Sequence, residues 1–201
     1  MFKKSFMVAL IASAAVSTAN AADVNGYLFA NAGQTEVDLS AFERDLQDLG
    51  LTTSADEKDT AFKIGAGAQL NPYVGIEFQY VDLGDFSVDA AAVGNAKATF
   101  STSGLGVNLV GTLPFDAFKL YGKLGYHKLE TEGKVATSGS TIFRDEEKEN
   151  VTSYAFGATY ALTPQFELGL EFERYQDLGS DDTTGGEEDA DLLTVGLRYN
   201  F

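Results

Sequence analysis

The chain has 201 residues, with 14 Lys and Arg against 30 Asp and Glu for a formal charge of −16, and it holds 21 Gly, three Pro, one His, no Trp and no Cys. The length fits one domain, and without Cys there is no disulfide, thiolate metal site, cysteine nucleophile or lipoprotein anchor. The acidic balance argues against nucleic acid as a partner, because phosphate contacts need Lys and Arg to displace counterions.

The chain opens on Lys3 and Lys4, continues through a largely apolar run from Phe6 to Val16, and reaches the small-x-small triplet Ala19-Asn20-Ala21. This is the anatomy of a secretory signal peptide over 1–21, leaving 22–201 as the mature domain. The apolar run is too short for a bilayer-spanning helix, which needs about 20 apolar residues. With no second apolar run, the exported chain is either soluble or crosses a membrane with strands.

From there the pattern has period two, the signature of strands. A first strand is expected near 25–34, with its inward face undefined. Loop 35–59 follows; Ser40-Ala41-Phe42-Glu43 is a capping box with Leu46 and Leu49 on one face, which predicts a short helix over 40–49. Phe62, Ile64, Ala66, Ala68 and Leu70 then alternate with Lys63, Gly65, Gly67 and Gln69. After Asn71-Pro72, Ile76, Phe78 and Tyr80 oppose Gly75, Glu77 and Gln79. A second long connection spans 81–98. Leu105, Val107 and Leu109 oppose Gly106, Asn108 and Val110, and beyond the turn at Pro114, Phe118, Leu120, Leu124 and Tyr126 oppose Lys119, Tyr121, Lys123 and Gly125. Connection 129–150 leads to Tyr154, Phe156, Ala158 and Tyr160 against Ala155, Gly157 and Thr159. After Thr163-Pro164, Phe166, Leu168, Leu170 and Phe172 oppose Glu167, Gly169, Glu171 and Glu173. Connection 176–190 precedes the last strand, where Leu193, Val195, Leu197, Tyr199 and Phe201 oppose Thr194, Gly196 and Arg198.

These are eight strands joined by three short turns, where the prolines are expected, and four long loops. Short turns alternating with long loops suit an eight-stranded antiparallel up-and-down transmembrane β-barrel, turns in the periplasm and loops outside. A soluble lipocalin-like barrel also alternates, with apolar side chains inside. The many glycines on the polar face decide between them: they suit a cramped lumen and would cover nothing on a solvated surface. The bulky faces then meet lipid. Phe115, Phe118, Phe166, Tyr199 and Phe201 lie near the turns or the C-terminus, while Tyr80, Tyr126, Tyr154 and Phe172 lie eight to ten residues from the nearest turn proline. At about 2.5 Å of climb per tilted residue, the two sets stand ~20–25 Å apart, the height between two aromatic girdles.

Most of the acids fall in the four long loops, while strands and turns are close to neutral. On the inward faces, Lys63, Glu77, Lys123, Glu171, Glu173 and Arg198 form a candidate polar network, with Glu77, Lys123, Glu171 and Arg198 at comparable distances from the periplasmic end. Charges in a low-dielectric lumen must pair. They serve either as a plug that fills the barrel or as a gate whose pairs exchange. Eight strands enclose little more than their own side chains, which favours the plug.

No catalytic constellation emerges. His127 has no Ser beside it in sequence and reads as an isolated polar residue at the outer rim. The acidic stretch Asp181–Asp189 lacks the alternating ligands of a calcium loop, so no metal site and no cofactor are expected; loose Mg²⁺ or Ca²⁺ bridging to lipopolysaccharide phosphates fits its charge.

The run from Lys63 to Phe78, Leu120-Tyr121-Gly122-Lys123-Leu124-Gly125-Tyr126 and Tyr160-Ala161-Leu162-Thr163-Pro164, in this order, resembles the transmembrane domain of the OmpA-like outer-membrane proteins, a group that includes opacity-type porin family proteins. The last strand, Asp191 to Phe201, is similar to the barrel-assembly signal, with Leu197, Tyr199 and the carboxy-terminal Phe201 in its alternating positions. The resemblance implies the Gram-negative outer membrane, contact with its lipids and lipopolysaccharide, and recognition by the barrel-assembly machinery. Members often add a periplasmic peptidoglycan-binding domain, which a chain ending at Phe201 is expected to lack. Thr159 stands where some members carry a lumen Glu, so an identical gate does not transfer. The function implied is a non-enzymatic structural envelope role, with acidic loops displayed for adhesion or host interaction. A small ion-conducting porin and a soluble periplasmic ligand-binding barrel are the alternatives.

Overall fold

The computed structural model describes residues 24–37, 53–56, 58–90, 96–137, 140–178 and 188–201. The signal segment 1–21, the helix expected over 40–49 and most of the stretch Asp181–Asp189 lie outside the described residues.

Among the described residues, nine strands are formed: β1 (Asn25–Val37), β2 (Thr53–Asp56), β3 (Lys58–Asn71), β4 (Val74–Ala90), β5 (Ala96–Phe115), β6 (Phe118–Thr137), β7 (Ser140–Ala161), β8 (Phe166–Leu178) and β9 (Glu188–Asn200). All pair antiparallel with their neighbours, and β1 pairs with β9 from Tyr27↔Asn200 to Val37↔Ala190, which closes the wall. The short β2 continues the line of β3 along the same edge of β4: β3 pairs up to Phe62↔Asp82 and β2 resumes at Asp56↔Ser87. The result is a barrel of eight staves, one of them interrupted.

The three short turns are tight. In the first, the Asn71 side chain accepts hydrogen bonds from the backbone N–H of Tyr73 at 2.8 Å and Val74 at 3.0 Å. In the second, Asp116 takes the left-handed conformation at φ 56°, which Asp tolerates better than most residues. In the third, Thr163 Oγ1 accepts from the backbone of Phe166 at 3.0 Å. Pro114 falls inside β5 rather than in the turn, one residue from the strand's end and opposite Lys119.

Within the membrane-facing half, alternation sorts side chains as the sequence pattern requires. Ile76, Phe78, Leu109, Leu124, Phe156, Leu170 and Val195 are exposed on the outer wall, whereas Lys63, Glu77, Asn108, Lys123, Glu171 and Thr194 are buried inside. On β1, Tyr27, Phe29, Thr35 and Val37 face inward, so this strand supplies two rings to the lumen. Phe115, Phe118, Phe166, Tyr199 and Phe201 are all exposed near the short turns, and Tyr126 is exposed at the far level.

The strands run further than their hydropathy suggested. β5 and β6 have 20 residues each and β7 has 22, although about 9–11 suffice to cross a bilayer. Much of the expected loops 81–98 and 129–150 is therefore β-wall, with only 91–95 and 138–139 between the strands. Over this outer extension the polarity of the alternation inverts. On β4, Glu77 and Gln79 give way to Val81 and Leu83 inside, while Phe78 and Tyr80 give way to Asp82 outside. On β6, Lys123 and His127 are followed by Leu129 inside, and Leu124 and Tyr126 by Lys128 outside. On β9, Thr194 gives way to Leu192 and Ala190 inside, and Leu193 to Asp191 outside. The physical cause is the change of solvent. A wall in lipid must be apolar outside, and a wall in water must be polar outside and can bury apolar residues within.

Candidate functional site

The lumen holds a continuous polar chain. Lys123 Nζ, on β6, lies 2.5 Å from Glu77 Oε2 on β4 and 2.7 Å from Glu171 Oε2 on β8. Lys63 on β3 is paired with the other oxygen of Glu171 and lies 2.6 Å from Glu173 Oε2. Tyr27 donates to Glu77 Oε1 at 2.8 Å, Tyr175 donates to Glu173 Oε2 at 2.9 Å, and the Tyr121 ring centroid lies 5.1 Å from Lys123 Nζ. Ser153 donates to Glu173 Oε1 at 2.7 Å and meets His127 Nε2 at 2.8 Å. Four strands thus contribute to one ionic chain, from Glu77 through Lys123, Glu171 and Lys63 to Glu173. Isolated, any of these buried charges would be costly, and together they satisfy one another.

Five of the six charged residues expected in the lumen network are brought together here. The sixth, Arg198, is not. Its guanidinium stacks on the Tyr27 ring at 3.4 Å from the centroid, and its Nε lies 4.0 Å from Glu167 Oε2. Glu167 also pairs with Lys119 at 2.6 Å. The Arg198–Glu167–Lys119 group forms a separate tier nearer the short turns, and Tyr27 touches both this tier and the ionic chain. Arg198 follows β9 to a register opposite Glu167, not Glu171, which is why equal depth estimated along separate strands did not become contact.

His127 also differs from the expectation of an isolated rim residue. It is fully buried, with Ser153 across the β6–β7 pairing as its partner and the Tyr175 ring 5.0 Å away edge-on. The trio His127, Ser153 and Glu173 has the residue types of a catalytic triad but the wrong order: Ser153 stands between His127 and Glu173, and its hydroxyl proton goes to the carboxylate. In a triad the imidazole stands between and the hydroxyl is free to attack.

Above the ionic chain the lumen is closed by apolar packing. Val37, Ala61, Val81, Leu83, Phe86, Leu129, Val151 and Leu192 form one buried cluster with Tyr175 and Leu178. Below, a cavity of about 30 Å³ lies among Glu77, Lys123, Glu171 and Arg198. That is room for a water or two. Glycines let the large polar side chains fit: a Cβ on Gly157 would stand 2.3 Å from the Tyr121 ring, and one on Gly125 would stand 2.3 Å from both Ser153 Oγ and His127 Nε2.

The family model described as the outer membrane protein beta-barrel domain matches residues 6–201. The chain belongs to this family. Outer membrane protein A of Shigella flexneri is 31% identical over 147 residues, covering 69% of this chain and 40% of that protein. The Serratia marcescens counterpart is 28% identical over 204 residues, covering 96% of this chain and 54% of that protein. The chain thus spans about half the length of these curated relatives, or less. Among solved structures, Neisserial surface protein A matches with a TM-score of 0.56 and 16% identity over 88% of this chain and 97% of that one. The attachment invasion locus protein of Yersinia pestis matches with a TM-score of 0.56 and 14% identity over 89% and 98%. These two show the shared fold. As an OmpA-like outer-membrane barrel, the protein resides in the Gram-negative outer membrane, and the soluble periplasmic reading falls away.

Sequence reasoning missed part of the lumen of this outer-membrane barrel: Tyr27, Ser153 and Tyr175, and the apolar layer above them. Strand parity carried two to four residues past each apparent strand end places Leu129, Val151, Tyr175 and Leu192 inside. That was the available signal.

Proposed function

We propose that the protein is a non-enzymatic outer-membrane barrel with a structural role in the envelope, exported by the signal peptide at 1–21, whose acidic outer hairpins and loops serve contact with an external partner in adhesion or host interaction. The observation that carries this reading is the lumen, filled across its section by the ionic chain and, outside it, by the apolar cluster from Val37 to Leu192. Such an interior holds a wall together and offers no route through it. Leu197, Tyr199 and Phe201 lie on the lipid-facing side of the last strand, where the assembly machinery can read them before the barrel closes. Lipids and lipopolysaccharide surround the wall. The use in attachment suits the fold, which the Yersinia pestis attachment invasion locus protein shares.

The test is a deletion strain beside a strain carrying the barrel with its outer hairpins exchanged for short turns. The account expects the deletion to lower both detergent resistance and surface attachment, and the exchange to lower attachment alone. Full attachment by the exchange strain would refute the display role, and unchanged detergent resistance in the deletion would refute the structural one.

A further inference from the structure

The ionic chain ends on Glu173, and a second set of hydrogen bonds starts there. Glu173 Oε2 accepts from Tyr175 at 2.9 Å, and the Tyr175 hydroxyl accepts from Gln79 Nε2 at 3.3 Å. Glu173 Oε1 accepts from Ser153 at 2.7 Å, and Ser153 Oγ lies 2.8 Å from His127 Nε2. β4, β8, β7 and β6 are joined in that order, at the foot of the apolar cluster to which Tyr175 belongs.

The positions of the protons follow. Glu173 is ionised against Lys63 and has no proton to give, so the Ser153 hydroxyl donates to it and turns a lone pair toward His127. Two lone pairs facing each other at hydrogen-bond distance would repel, so His127 Nε2 carries the hydrogen. The carboxylate that faces the ring, Glu173, lies on this Nε2 side at 3.7 Å. A second proton on Nδ1 would be a buried charge with no counter-charge beside it, which favours the neutral ring.

Nδ1 is then a buried lone pair, with no hydrogen-bond partner among the described residues. Gln79 Oε1 and both amide atoms of Asn108 share that condition. These groups lie together. Gln79, Gly106 and His127 occupy one row across β4, β5 and β6, and Glu77, Asn108 and Gly125 the next. Two glycines let the side chains converge: a Cβ on Gly106 would stand 1.9 Å from His127 Nδ1, and one on Gly125 would stand 2.3 Å from His127 Nε2 and 2.5 Å from Asn108 Oδ1. Gln79 Oε1 and His127 Nδ1 both need a donor, and Asn108 Nδ2 needs an acceptor. A water molecule, with two protons and two lone pairs, meets all three, and three is the usual number of bonds for a buried water.

We propose that Gln79, Asn108 and His127 hold one buried water, which donates to Gln79 Oε1 and His127 Nδ1 and accepts from Asn108 Nδ2. The water closes the hydrogen bonds into a ring over β4 to β8, five consecutive staves, and holds His127 in a single tautomer.

His127 is the single histidine of the chain, so nitrogen NMR of untagged, histidine-labelled protein folded in phospholipid nanodiscs reads this ring alone. At neutral pH Nε2 should be protonated and Nδ1 bare, and the ring protons should show cross-relaxation with a long-lived water. Asn108→Leu keeps the volume and removes the amide. The water contact should then be lost and the Nδ1 resonance should shift, with heat-modifiable migration on a gel verifying a folded barrel. Gln79→Leu should act in the same way, whereas Leu124→Ala, on the lipid face, should leave both signals in place. A protonated Nδ1 at neutral pH, whether in the reversed tautomer or the doubly protonated ring, would overturn the proposal. So would a parent ring without water contact, or an Nδ1 resonance unmoved in folded Asn108→Leu. The tautomer and the water contact are read on the parent, whatever the folding of the variants.

Discussion

Glu171 is the residue on which the lumen depends most, because it bridges Lys63 and Lys123 while Glu77 pairs with only one of the two lysines, Lys123. Replacing it by Gln keeps the volume and removes the charge. At 2.7 Å and an effective dielectric of about 20, the Lys123–Glu171 attraction is roughly 6 kcal/mol before desolvation is subtracted. Desolvation offsets much of that, and removal of one member of a buried ionic group costs about 3–5 kcal/mol net. Glu171→Gln should therefore lower stability by that amount, and by more than Glu77→Gln does. With a urea slope near 2 kcal/mol/M, the unfolding midpoint in lipid vesicles would fall by about 1.5–2.5 M. Replacing Lys63, Lys123, Glu77, Glu171 and Glu173 together by apolar residues of similar volume should cost less than the sum of single losses, since no charge is then left unpaired. A Glu171→Gln midpoint within about 0.3 M of the parent would refute the claim that this chain of ion pairs holds the barrel together.

Three further outcomes follow from the geometry. Leu109, 54% exposed at the middle of the outward apolar run Leu105–Leu113 of β5, faces lipid, so Leu109→Arg should cost about 2–4 kcal/mol in a bilayer; a change within about 0.5 kcal/mol, as at an ordinary solvated position, would contradict lipid contact. Gly157→Ala should destabilise by about 1–3 kcal/mol because its Cβ would meet the Tyr121 ring at 2.3 Å, while Gly111→Ala, with its closest neighbour at 4.0 Å, should be tolerated; unfolding midpoints of the two variants compare them. His127→Ala should leave lipid A acylation unchanged in a mass spectrum of extracted lipid A, because the imidazole is buried beneath the apolar layer; altered acylation would revive an enzymatic role.

Much of this was legible in the sequence, and the reason is geometric. Strand parity is strict, so Lys63, Glu77, Lys123, Glu171 and Glu173 could be placed inside from alternation alone, and Ile76, Leu124 and Val195 outside. Two things were not. The strand ends were obscured because 81–98 and 129–150 mix charges with apolar residues as loops do; in fact the alternation continues there with its polarity reversed, Asp82 and Lys128 outside and Leu83 and Leu129 inside. Contacts across the lumen were also hidden, since they depend on register between strands distant in sequence. Parity placed Arg198 inside but could not seat it on Tyr27 rather than beside Glu171, and it could not put Ser153 against His127.

The central claim is that the lumen is filled. Current across a planar bilayer holding the purified, folded protein tests it most directly. The account predicts no steady conductance from the parent and unchanged silence after Arg198→Ala, because the ionic chain and the apolar cluster remain in place. Large, stable channels in the parent, or channels whose conductance responds to Arg198→Ala, would contradict a closed lumen and establish a pore.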